Sequence, residues 1–304
     1  MRENTAGSSD PRYNPFLNFL QNPGTRFDSI NCNDEFHVAS EILENCKAFE
    51  SIPDFNNQIS RTNLKCSDPT NFTIFFNNID GNKTNFDGLT VDLKRNETKF
   101  SVIAICETNI DSSHKNMYPV EGYDSCYQSK IADKSKGSGL GLYIKDTYTY
   151  DEISEASICS PDIEALFIKI TNTNAPIVIG VVYRPPNGNL NNFNQQFHSI
   201  LETLPKSNVY IAGDFNINLH SVYEHAGARL FQESFLSTGF YPTISLSTHE
   251  MPNCNASCID NILTNNSANV ALSATIKDSV SHHLPIVCHS ISEQFTTITG
   301  NLLK

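Results

Sequence analysis

The segment Asn208-Val-Tyr-Ile-Ala-Gly-Asp-Phe-Asn-Ile-Asn218 reads as a short buried β-strand that ends in polar residues. Its valine and isoleucine favour extended backbone, and Gly213 permits a tight turn where the strand ends. Asp214 and Asn216 lie two residues apart, so on an extended segment their side chains point the same way. Ligands of open α/β sheets bind at the carboxyl ends of the strands. We therefore expect this carboxylate and amide to serve a cation, an activated water or a phosphoryl oxygen, although Gly-Asp-x-Asn is also an ordinary turn sequence.

Other apolar runs of the chain also end in polar residues. Taken one at a time, these residues have ordinary explanations: Glu107 could start a surface loop, and Tyr183 could close the core while Arg184 faces water. Taken together, they supply acids for a divalent cation, an amide and a phenol for oxygens, and an imidazole beside a carboxylate. Metal-assisted phosphodiester hydrolysis requires this combination. The side chains at the strand ends are Asn78, Glu107, Tyr183, Asp214, Asn216, Asp260 and His283.

Strand-like and helix-like segments alternate along the chain, with antiparallel hairpins expected between residues 139 and 183. We expect an α/β fold, a four-layered α/β sandwich in which two packed mixed β-sheets are flanked by helices. Glycines at 137, 139 and 141 do not form a dinucleotide-binding fingerprint, because the residues after them alternate as a strand. The predicted strands are 72–78, 100–106, 137–144, 164–170, 177–183, 208–214, 258–263 and 284–288. Helical spacing occurs at 85–93, 190–204 and 228–236, and 36–49 reads as a helix or helix-like lead-in.

A chain of 304 residues can bury a large core, and we expect one compact domain at 70–292. Residues 1–69 read as a partly flexible N-terminal extension, rich in Asn, Ser, Pro and Gly up to about residue 30, and residues 293–304 as a C-terminal tail. The 39% hydrophobic and 18% charged content is typical of a soluble protein, and no apolar run is long enough to cross a bilayer. The net charge of −12 argues against a general polyanion-binding surface but allows a local basic groove or a metal-bridged phosphate contact.

The cysteines are nine in number and irregularly spaced, and no secretory signal precedes them. This usage indicates reduced thiols in an intracellular protein. Cys254 and Cys258, with His249 nearby, have a spacing that could recruit zinc. No second pair of suitable ligands follows, so the spacing is better explained as a coincidence in a loop.

Short motifs carry a more specific signal when they are read as an ordered set. In chain order they are Asn78-Ile79, Asn85-Phe86-Asp87, Cys106-Glu107-Thr108, the glycine-rich strand at 137–144, Val182-Tyr183-Arg184-Pro185-Pro186, Gly213-Asp214-Phe215-Asn216, Ile259-Asp260-Asn261-Ile262 and Ser281-His282-His283-Leu284-Pro285-Ile286. From about residue 70 to 290, the chain resembles the endonuclease/exonuclease/phosphatase superfamily. More narrowly, it is similar to the apurinic-type endonuclease domain of LINE-like non-LTR retrotransposons.

The resemblance implies a divalent-metal-dependent DNA endonuclease that leaves a 3′-hydroxyl, the end that primes reverse transcription in such elements. Its partners would be DNA and a reverse transcriptase domain in a longer parent protein, acting in the nucleus. The implied metal residues are Glu107 and Asn78, which would hold Mg²⁺, or Mn²⁺ as the alternative. The implied catalytic residues are Asp214 and Asn216 for the attacking water and phosphate oxygen, Tyr183 and His283 for the phosphate, and Asp260 for the imidazole tautomer. The implied DNA or phosphate contacts are Arg184, Thr248, Ser281 and His282.

Two positions depart from the family pattern. The family has Ser-Asp-His where this chain has Ser281-His282-His283, and an imidazole cannot replace a carboxylate for Mg²⁺. Asp278, which lies close in sequence, is the acid that could compensate. The family also tends to have an aromatic residue where Asn109 stands.

One alternative is thus a catalytically decayed domain that only binds nucleic acid. A phosphatase or lipid phosphodiesterase of the same superfamily is a third reading, which substrate competition would distinguish.

Overall fold

The computed structural model describes residues 40–61, 69–81, 83–95, 100–111, 118–131, 137–252 and 254–297. The flexible arm expected up to about residue 30 and the last part of the expected C-terminal tail, 298–304, lie outside these residues. Within the described part of the chain, no helix is both long and apolar enough to span a bilayer.

Two seven-stranded β-sheets form the centre of the structure. The first sheet has the strand order β1-β13-β14-β2-β3-β5-β4. Its strands are β1 (Lys47–Phe49), β2 (Asn71–Asn78), β3 (Val102–Cys106), β4 (Tyr123–Gln128), β5 (Leu140–Lys145), β13 (Val270–Ile276) and β14 (Ile286–Ile291). The second sheet has the order β11-β12-β10-β9-β8-β6, and β7 also pairs with β8. Its strands are β6 (Tyr150–Glu152), β7 (Ile158–Cys159), β8 (Glu164–Ile170), β9 (Ile177–Tyr183), β10 (Val209–Asp214), β11 (Tyr241–Pro242) and β12 (Asp260–Thr264).

Both sheets are mixed, as predicted. In the first sheet β2 pairs parallel with β3 and antiparallel with β14. In the second sheet β10 pairs parallel with β9 and antiparallel with β12. Of the antiparallel hairpins expected between 139 and 183, the one at 164–183 is confirmed, because β8 and β9 pair antiparallel along their whole length. The predicted strands at 137–144 and 164–170 do not pair, because β5 and β8 belong to different sheets.

Strand β3 shows why the central strands are continuous apolar runs. Val102, Ala104 and Cys106 belong to the core between the two sheets, whereas Ile103 and Ile105 belong to the cluster under the helices. Because successive side chains of a strand point to opposite faces, a strand that is covered on both sides needs apolar residues at every position.

In the described part of the chain, the helices whose two ends are both described are α1 (Ile52–Arg61), α2 (Lys83–Arg95), α3 (Leu190–Thr203) and α4 (Ala226–Leu236). Helices α1 and α2 cover the first sheet, where Phe55 and Phe86 share an apolar cluster with Phe75. Helices α3 and α4 flank the second sheet, and the ring of Phe231 of α4 lies 4.9 Å from that of Phe215, which follows β10, in a tilted arrangement. The predicted four-layered α/β sandwich is therefore confirmed. Short 3-10 turns lie at Leu219–Ser221, Ser267–Asn269 and Glu293–Phe295.

The sequence did not predict β1, β4, β6, β7, β11 or β13. Strands β4 and β6 are edge strands with several exposed residues, so their apolar pattern is weak. The helix expected at 36–49 is wrong in its second half, since residues 40–44 are helical but Lys47–Phe49 pairs parallel with β13. Strand β1 and helix α1 thus join the sheet and its covering layer, although both lie in the segment expected to be an extension. The boundaries of the domain stay a prediction.

Strand register brings the polar strand ends to one edge of the sandwich. Asn78 and Cys106 are partners at the ends of β2 and β3. In the second sheet Asp214 is the partner of both Tyr183 and Asp260. Because the two sheets pack face to face, side chains from both can meet at this edge.

Candidate active site

The centre of the site is a pair of buried carboxylates and one histidine. Asp214 ends β10 and Asp260 begins β12, directly opposite each other, and both are 0% exposed. Nδ1 of His283 lies 3.0 Å from Oδ2 of Asp260 and 3.9 Å from Oδ2 of Asp214. Because Nδ1 faces carboxylate oxygens, it must carry the proton, which leaves Nε2 for a second partner.

The surroundings shift the pKa of two of these groups. Burial, followed by the negative charge of Asp260, raises the pKa of Asp214 to about 7, although His283 and the hydrogen bond from Asn78 act in the opposite direction. Burial alone would lower the pKa of His283, but the charge and hydrogen bond of Asp260, with Asp214, outweigh it and raise the pKa to about 9. At neutral pH the imidazole is therefore a cation that is held by Asp260.

Asn78 joins the acids of the two sheets. Its Nδ2 donates to Oε1 of Glu107 at 2.9 Å and to Oδ2 of Asp214 at 2.9 Å. Its Oδ1 accepts the backbone N–H of Asp80 at 2.9 Å, and because a backbone N–H can only donate, this contact sets the orientation of the amide. The sequence predicted Asn78 as a metal residue, and a cation would bind its oxygen. In this orientation Asn78 acts as a bridging donor, and a metal-ligand role would require the amide to turn round.

Glu107 and Tyr183 lie beside this bridge. Glu107 follows β3 in a left-handed conformation with φ 54°, and its carboxylate accepts a hydrogen bond from the hydroxyl of Tyr183. Burial, followed by the charge of Glu107, raises the pKa of Tyr183, so the phenol stays a neutral donor. Gly137, with φ 74°, passes so close that a Cβ there would lie 3.6 Å from Oε2 of Glu107 and 3.7 Å from the hydroxyl of Tyr183.

Asn216 and Arg184 hold each other in place. Asn216 has φ 48°, so the chain turns after Asp214 instead of staying extended, yet Nδ2 of Asn216 still lies 3.3 Å from Oδ2 of Asp214. The same Nδ2 donates to the carbonyl of Arg184 at 2.8 Å. Arg184 is 7% exposed and donates from Nη1 to the carbonyl of Asn216 and from Nη2 to that of Gly188. Arg184 therefore holds the backbone at Asn216 and at Gly188 in place. The phosphate contact predicted for Arg184 stays a prediction.

Thr248 does not have the geometry of a DNA contact. Its side chain is 0% exposed, and Oγ1 accepts the backbone N–H groups of Ile259 at 3.1 Å and Asp260 at 3.0 Å. The predicted DNA contact is therefore replaced by an internal one, because the hydroxyl is enclosed and serves the start of β12. Its backbone carbonyl also accepts the N–H of Leu284 at 2.7 Å, which ties together the segments that carry Asp260 and His283.

Ser281 and His282 occupy different environments. Oγ of Ser281 donates to the carbonyl of Asn78 at 2.6 Å and accepts the N–H of His283 at 3.2 Å, so Ser281 connects two parts of the site. The side chain of His282 is exposed at the rim. Their predicted contacts with phosphate stay predictions.

One residue of the site, His249, was considered from the sequence only as a zinc ligand. Its ring lies 4.7 Å from that of His283, centroid to centroid, in a tilted arrangement. Its backbone pairs with both Ser257 and His283 through isolated bridges. Burial, followed by the charge of His283, lowers the pKa of His249. The contact arises from pairing between distant loops, which no spacing in the sequence signals.

The donor set at this edge suits a hard divalent cation. Glu107, Asp214 and Asp260 supply carboxylate oxygens, the ligands that Mg²⁺ and Mn²⁺ prefer, and a cation would oppose the burial and the charge of Asp260 that raise the pKa of Asp214. Among the described residues, one group of His, Cys, Asp and Glu has ligand atoms close enough to hold a metal, and its members Asp214, Asp260 and His283 lie within 4.8 Å. Cys254 is exposed while Cys258 is buried, and neither belongs to that group.

Comparisons with known proteins find one matching family model and several solved structures with a similar fold. Residues 177–287 match a family model described as endonuclease-reverse transcriptase. The endonuclease domain of TRAS1, a telomere-specific non-LTR retrotransposon, is similar with a TM-score of 0.59 at 11% identity, over 73% of this chain and 99% of that one. The AP endonuclease LMAP from Leishmania major is similar with a TM-score of 0.60 at 13% identity, over 86% of this chain and 100% of that one.

A third solved structure carries the superfamily name. An endonuclease/exonuclease/phosphatase family protein from Leptotrichia buccalis aligns with a TM-score of 0.50 at 16% identity, over 73% of this chain and 99% of that one. A comparison with curated protein sequences finds no match. At these identities the structures share a fold, and the family model independently covers the segment with Tyr183, Asp214, Asp260 and His283. Residues 177–287 thus match the endonuclease-reverse transcriptase family model, and the chain shares the fold of these two endonucleases and of the endonuclease/exonuclease/phosphatase family protein.

Proposed function

We propose that this protein is a divalent-metal-dependent DNA endonuclease that hydrolyses one phosphodiester and leaves a 3′-hydroxyl, as in target-site nicking by a non-LTR retrotransposon. The observation that carries the proposal is the bridge from Asn78 to both Glu107 and Asp214, next to the His283–Asp260 pair. Glu107, which would hold a cation, and Asp214, which would accept a proton, thus lie beside His283, a positively charged donor. The similarity to the TRAS1 endonuclease domain supports DNA as the substrate.

Glu107 is the residue we assign to the cation, Mg²⁺ or Mn²⁺, because its carboxylate is only partly buried and reaches the edge of the site. Asp214 lies nearby, because Nδ2 of Asn78 donates to both acids. The cation would act as a Lewis acid that offsets negative charge on the phosphate.

Asp214 is the group that we assign to the attacking water. It is fully buried, and its Oδ1 accepts the backbone N–H of Asn216 at 2.9 Å while Asn78 holds Oδ2. A carboxylate with a pKa near 7 accepts a proton more readily than an ordinary aspartate and is still ionised in part at neutral pH.

His283 and Tyr183 are the donors that we assign to the phosphate. Asp260 holds the imidazole in the tautomer with a proton on Nδ1, so Nε2 of the cationic ring can donate to a phosphate oxygen. Tyr183 remains protonated because its pKa is raised; its single hydroxyl proton is donated to Glu107 in this structure and would become available to the phosphate once a cation neutralises that carboxylate. His283 is held by Asp260 before substrate arrives, which favours the transition state over a flexible arrangement.

The second candidate is a binding domain without turnover, and His282 is the observation that favours it. The family's acid at this position is replaced by an exposed imidazole. Such a domain would bind DNA equally well with and without Mg²⁺ and would make no nicks. Action in the nucleus and a reverse transcriptase partner belong to the endonuclease proposal.

Plasmid nicking by the purified chain tests the proposal. We expect open circles with Mg²⁺ or Mn²⁺, none with EDTA, and none with Asp214→Ala. Extension of the nick by a DNA polymerase without prior phosphatase treatment would establish the 3′-hydroxyl. Wild-type chain that makes no nicks, alongside a His282→Asp variant that does, would contradict the proposal and support the binding domain. His282→Asn is the matched control, since it changes size in the same way without adding a charge.

A further inference from the structure

Glu164, the first residue of β8, is a buried carboxylate that the proposed reaction does not use. It is 0% exposed and lies opposite Tyr183 across the antiparallel pair of β8 and β9. A carboxylate is costly to bury unless its oxygens are hydrogen-bonded. The contacts of Glu164 therefore indicate what this residue is for.

The carboxylate of Glu164 reaches from the second sheet to the loop that enters β5 of the first sheet. Oε1 accepts the hydroxyl of Ser138 at 2.8 Å, and Oε2 accepts the backbone N–H of Gly139 at 2.7 Å. Ser138 is itself 0% exposed, and its Oγ accepts the N–H of Ile131 at 2.9 Å. One carboxylate thus holds two consecutive residues of this loop.

The other side of the same two residues holds the loop that carries Glu107. The carbonyl of Gly139 accepts the N–H of Thr108 at 3.1 Å, and the carbonyl of Ser138 accepts the N–H of Asn109 at 2.9 Å. Gly139 has φ 93°, and a Cβ there would lie 2.6 Å from Oγ1 of Thr108 and 3.5 Å from the backbone nitrogen of Asn109, so the space beside Gly139 is filled by the loop that follows Glu107. The segment Ser138–Gly139 is therefore clamped between Glu164 and the residues that follow Glu107.

This clamp acts on a loop with unfavourable backbone geometry. Glu107 and Asn109 have φ values of 54° and 51°, in the left-handed region that residues other than glycine seldom adopt. Such a conformation persists only when neighbouring contacts hold it. The two hydrogen bonds from Thr108 and Asn109 lie where that support is needed.

We propose that Glu164 is a positioning residue for Glu107: through Ser138 and Gly139 it keeps the Glu107 loop in the conformation that presents the carboxylate to a divalent cation. The role of Glu107 toward a cation rests on the proposed function. The clamp itself is a property of the fold, and it can be measured without substrate or metal.

Two readouts on Glu164→Gln test the proposal. The amide keeps the size of the side chain but can accept only through one atom, so either Ser138 or Gly139 loses an acceptor. We expect amide hydrogen exchange at Thr108 and Asn109, followed by NMR without metal, to accelerate about tenfold relative to buried amides of β14. Binding of Mn²⁺, followed by the EPR signal of the free ion, should weaken about tenfold, because a loosened Glu107 must be ordered on binding.

Thr264→Val is the matched control. It removes a buried hydroxyl that donates to the carbonyl of Val209, at the end of β12 remote from Asp260. We expect it to lower stability while leaving the relative exchange at Thr108 and Asn109 and the Mn²⁺ affinity unchanged. If Glu164→Gln does not fold, Ser138→Ala removes one of the two donors and carries the same comparison.

The outcomes separate this proposal from the proposed function. Unchanged relative exchange at Thr108 and Asn109 would overturn the clamp, whatever the nuclease activity. Faster exchange with unchanged Mn²⁺ affinity would overturn the positioning role. A wild-type chain that binds no Mn²⁺ would contradict the metal-dependent function, and with it the role of Glu164 toward the cation.

Discussion

Nδ1 of His283 lies 3.0 Å from Oδ2 and 3.1 Å from Oδ1 of Asp260, so one carboxylate determines both the tautomer and the charge of the imidazole. Asp260 is fully buried at the start of β12, and Thr248 accepts its backbone N–H. The ring therefore has a fixed direction before any substrate binds.

Replacement of Asp260 by Asn should uncouple the imidazole. We expect kcat for nicking to fall by about 10²- to 10⁴-fold, because an amide can donate to Nδ1 and so favour the wrong tautomer. The pKa of His283, measured by NMR titration, should fall from about 9, since the charge of Asp260 is what raises it against burial. Asp151→Asn, on the exposed edge strand β6, is the control. An unchanged pKa of His283 in Asp260→Asn would contradict this account of the pair.

Replacement of Asn78 by Asp should place three carboxylates against one another. Asn78→Ala removes two hydrogen bonds to acids, and we expect it to lower the free energy of unfolding by about 3 kcal/mol. Asn78→Asp should cost more in EDTA, because repulsion from Glu107 and Asp214 adds to the lost donors. Addition of a divalent cation should then restore part of the free energy of unfolding that Asn78→Asp loses in EDTA. Urea denaturation in EDTA and in Mg²⁺ measures both effects, and equal stability of the two variants in EDTA would show that Asn78 is not a bridge.

Thr248 should prove to be an internal residue. Thr248→Val leaves the N–H groups of Ile259 and Asp260 without their acceptor, and we expect a loss of about 2 to 3 kcal/mol in the free energy of unfolding. Thr248→Ser keeps the hydroxyl and should stay within about 1 kcal/mol of wild type. If Thr248→Val instead weakened DNA binding with no loss in stability, the DNA contact expected from the sequence would be correct.

His289 should make the stability of the fold depend on pH. It is 0% exposed in β14, its Nδ1 contacts Oγ1 of Thr73 at 2.7 Å, and its Nε2 has no hydrogen-bond partner among the described residues. Burial lowers its pKa to about 4. The unfolded chain, with an ordinary histidine pKa of about 6.5, binds the proton first as the pH falls. Stability is thus lost between about pH 6.5 and 4, by about 2 kcal/mol between pH 7 and pH 5.

The measurement for His289 compares urea midpoints at pH 7 and pH 5. We expect the difference between the two pH values to shrink in His289→Leu, because the titrating group is gone. His198→Leu, on the exposed side of α3, should keep the wild-type difference. A difference that is the same in His289→Leu and in wild type would assign the acid sensitivity to other groups.

The sequence alone was sufficient for the layers of the fold. Runs such as Val102–Cys106 are apolar at every position because both faces of the strand are covered, and that pattern depends on local residues only. The strand after the glycines at 137 to 141 was recognised for the same reason. Edge strands such as Tyr150–Glu152 were missed because they bury too little apolar surface to leave a pattern.

The proximity of the acids of the candidate site could also be predicted from the sequence. Asp214 and Asp260 follow or begin predicted strands, and the rule that strand ends converge at one edge applies to both. The contacts that each of these side chains makes could not be predicted from the sequence. The bridge from Asn78 spans 136 residues to Asp214, and whether the amide offers its nitrogen or its oxygen depends on the N–H of Asp80.

Residue type and spacing therefore determined which chemical groups reach the site, and the tertiary structure decided which of them face outward. Thr248 and Arg184 appeared suited to contact DNA, yet both are buried and hydrogen-bond to backbone groups from other loops. In the sequence, Glu164 is only the first residue of a predicted strand. The packing of the two sheets brings its carboxylate to Ser138 and Gly139. The physical reason is that a polar side chain in the interior must find its partner, and the partner is brought there by segments distant in the chain.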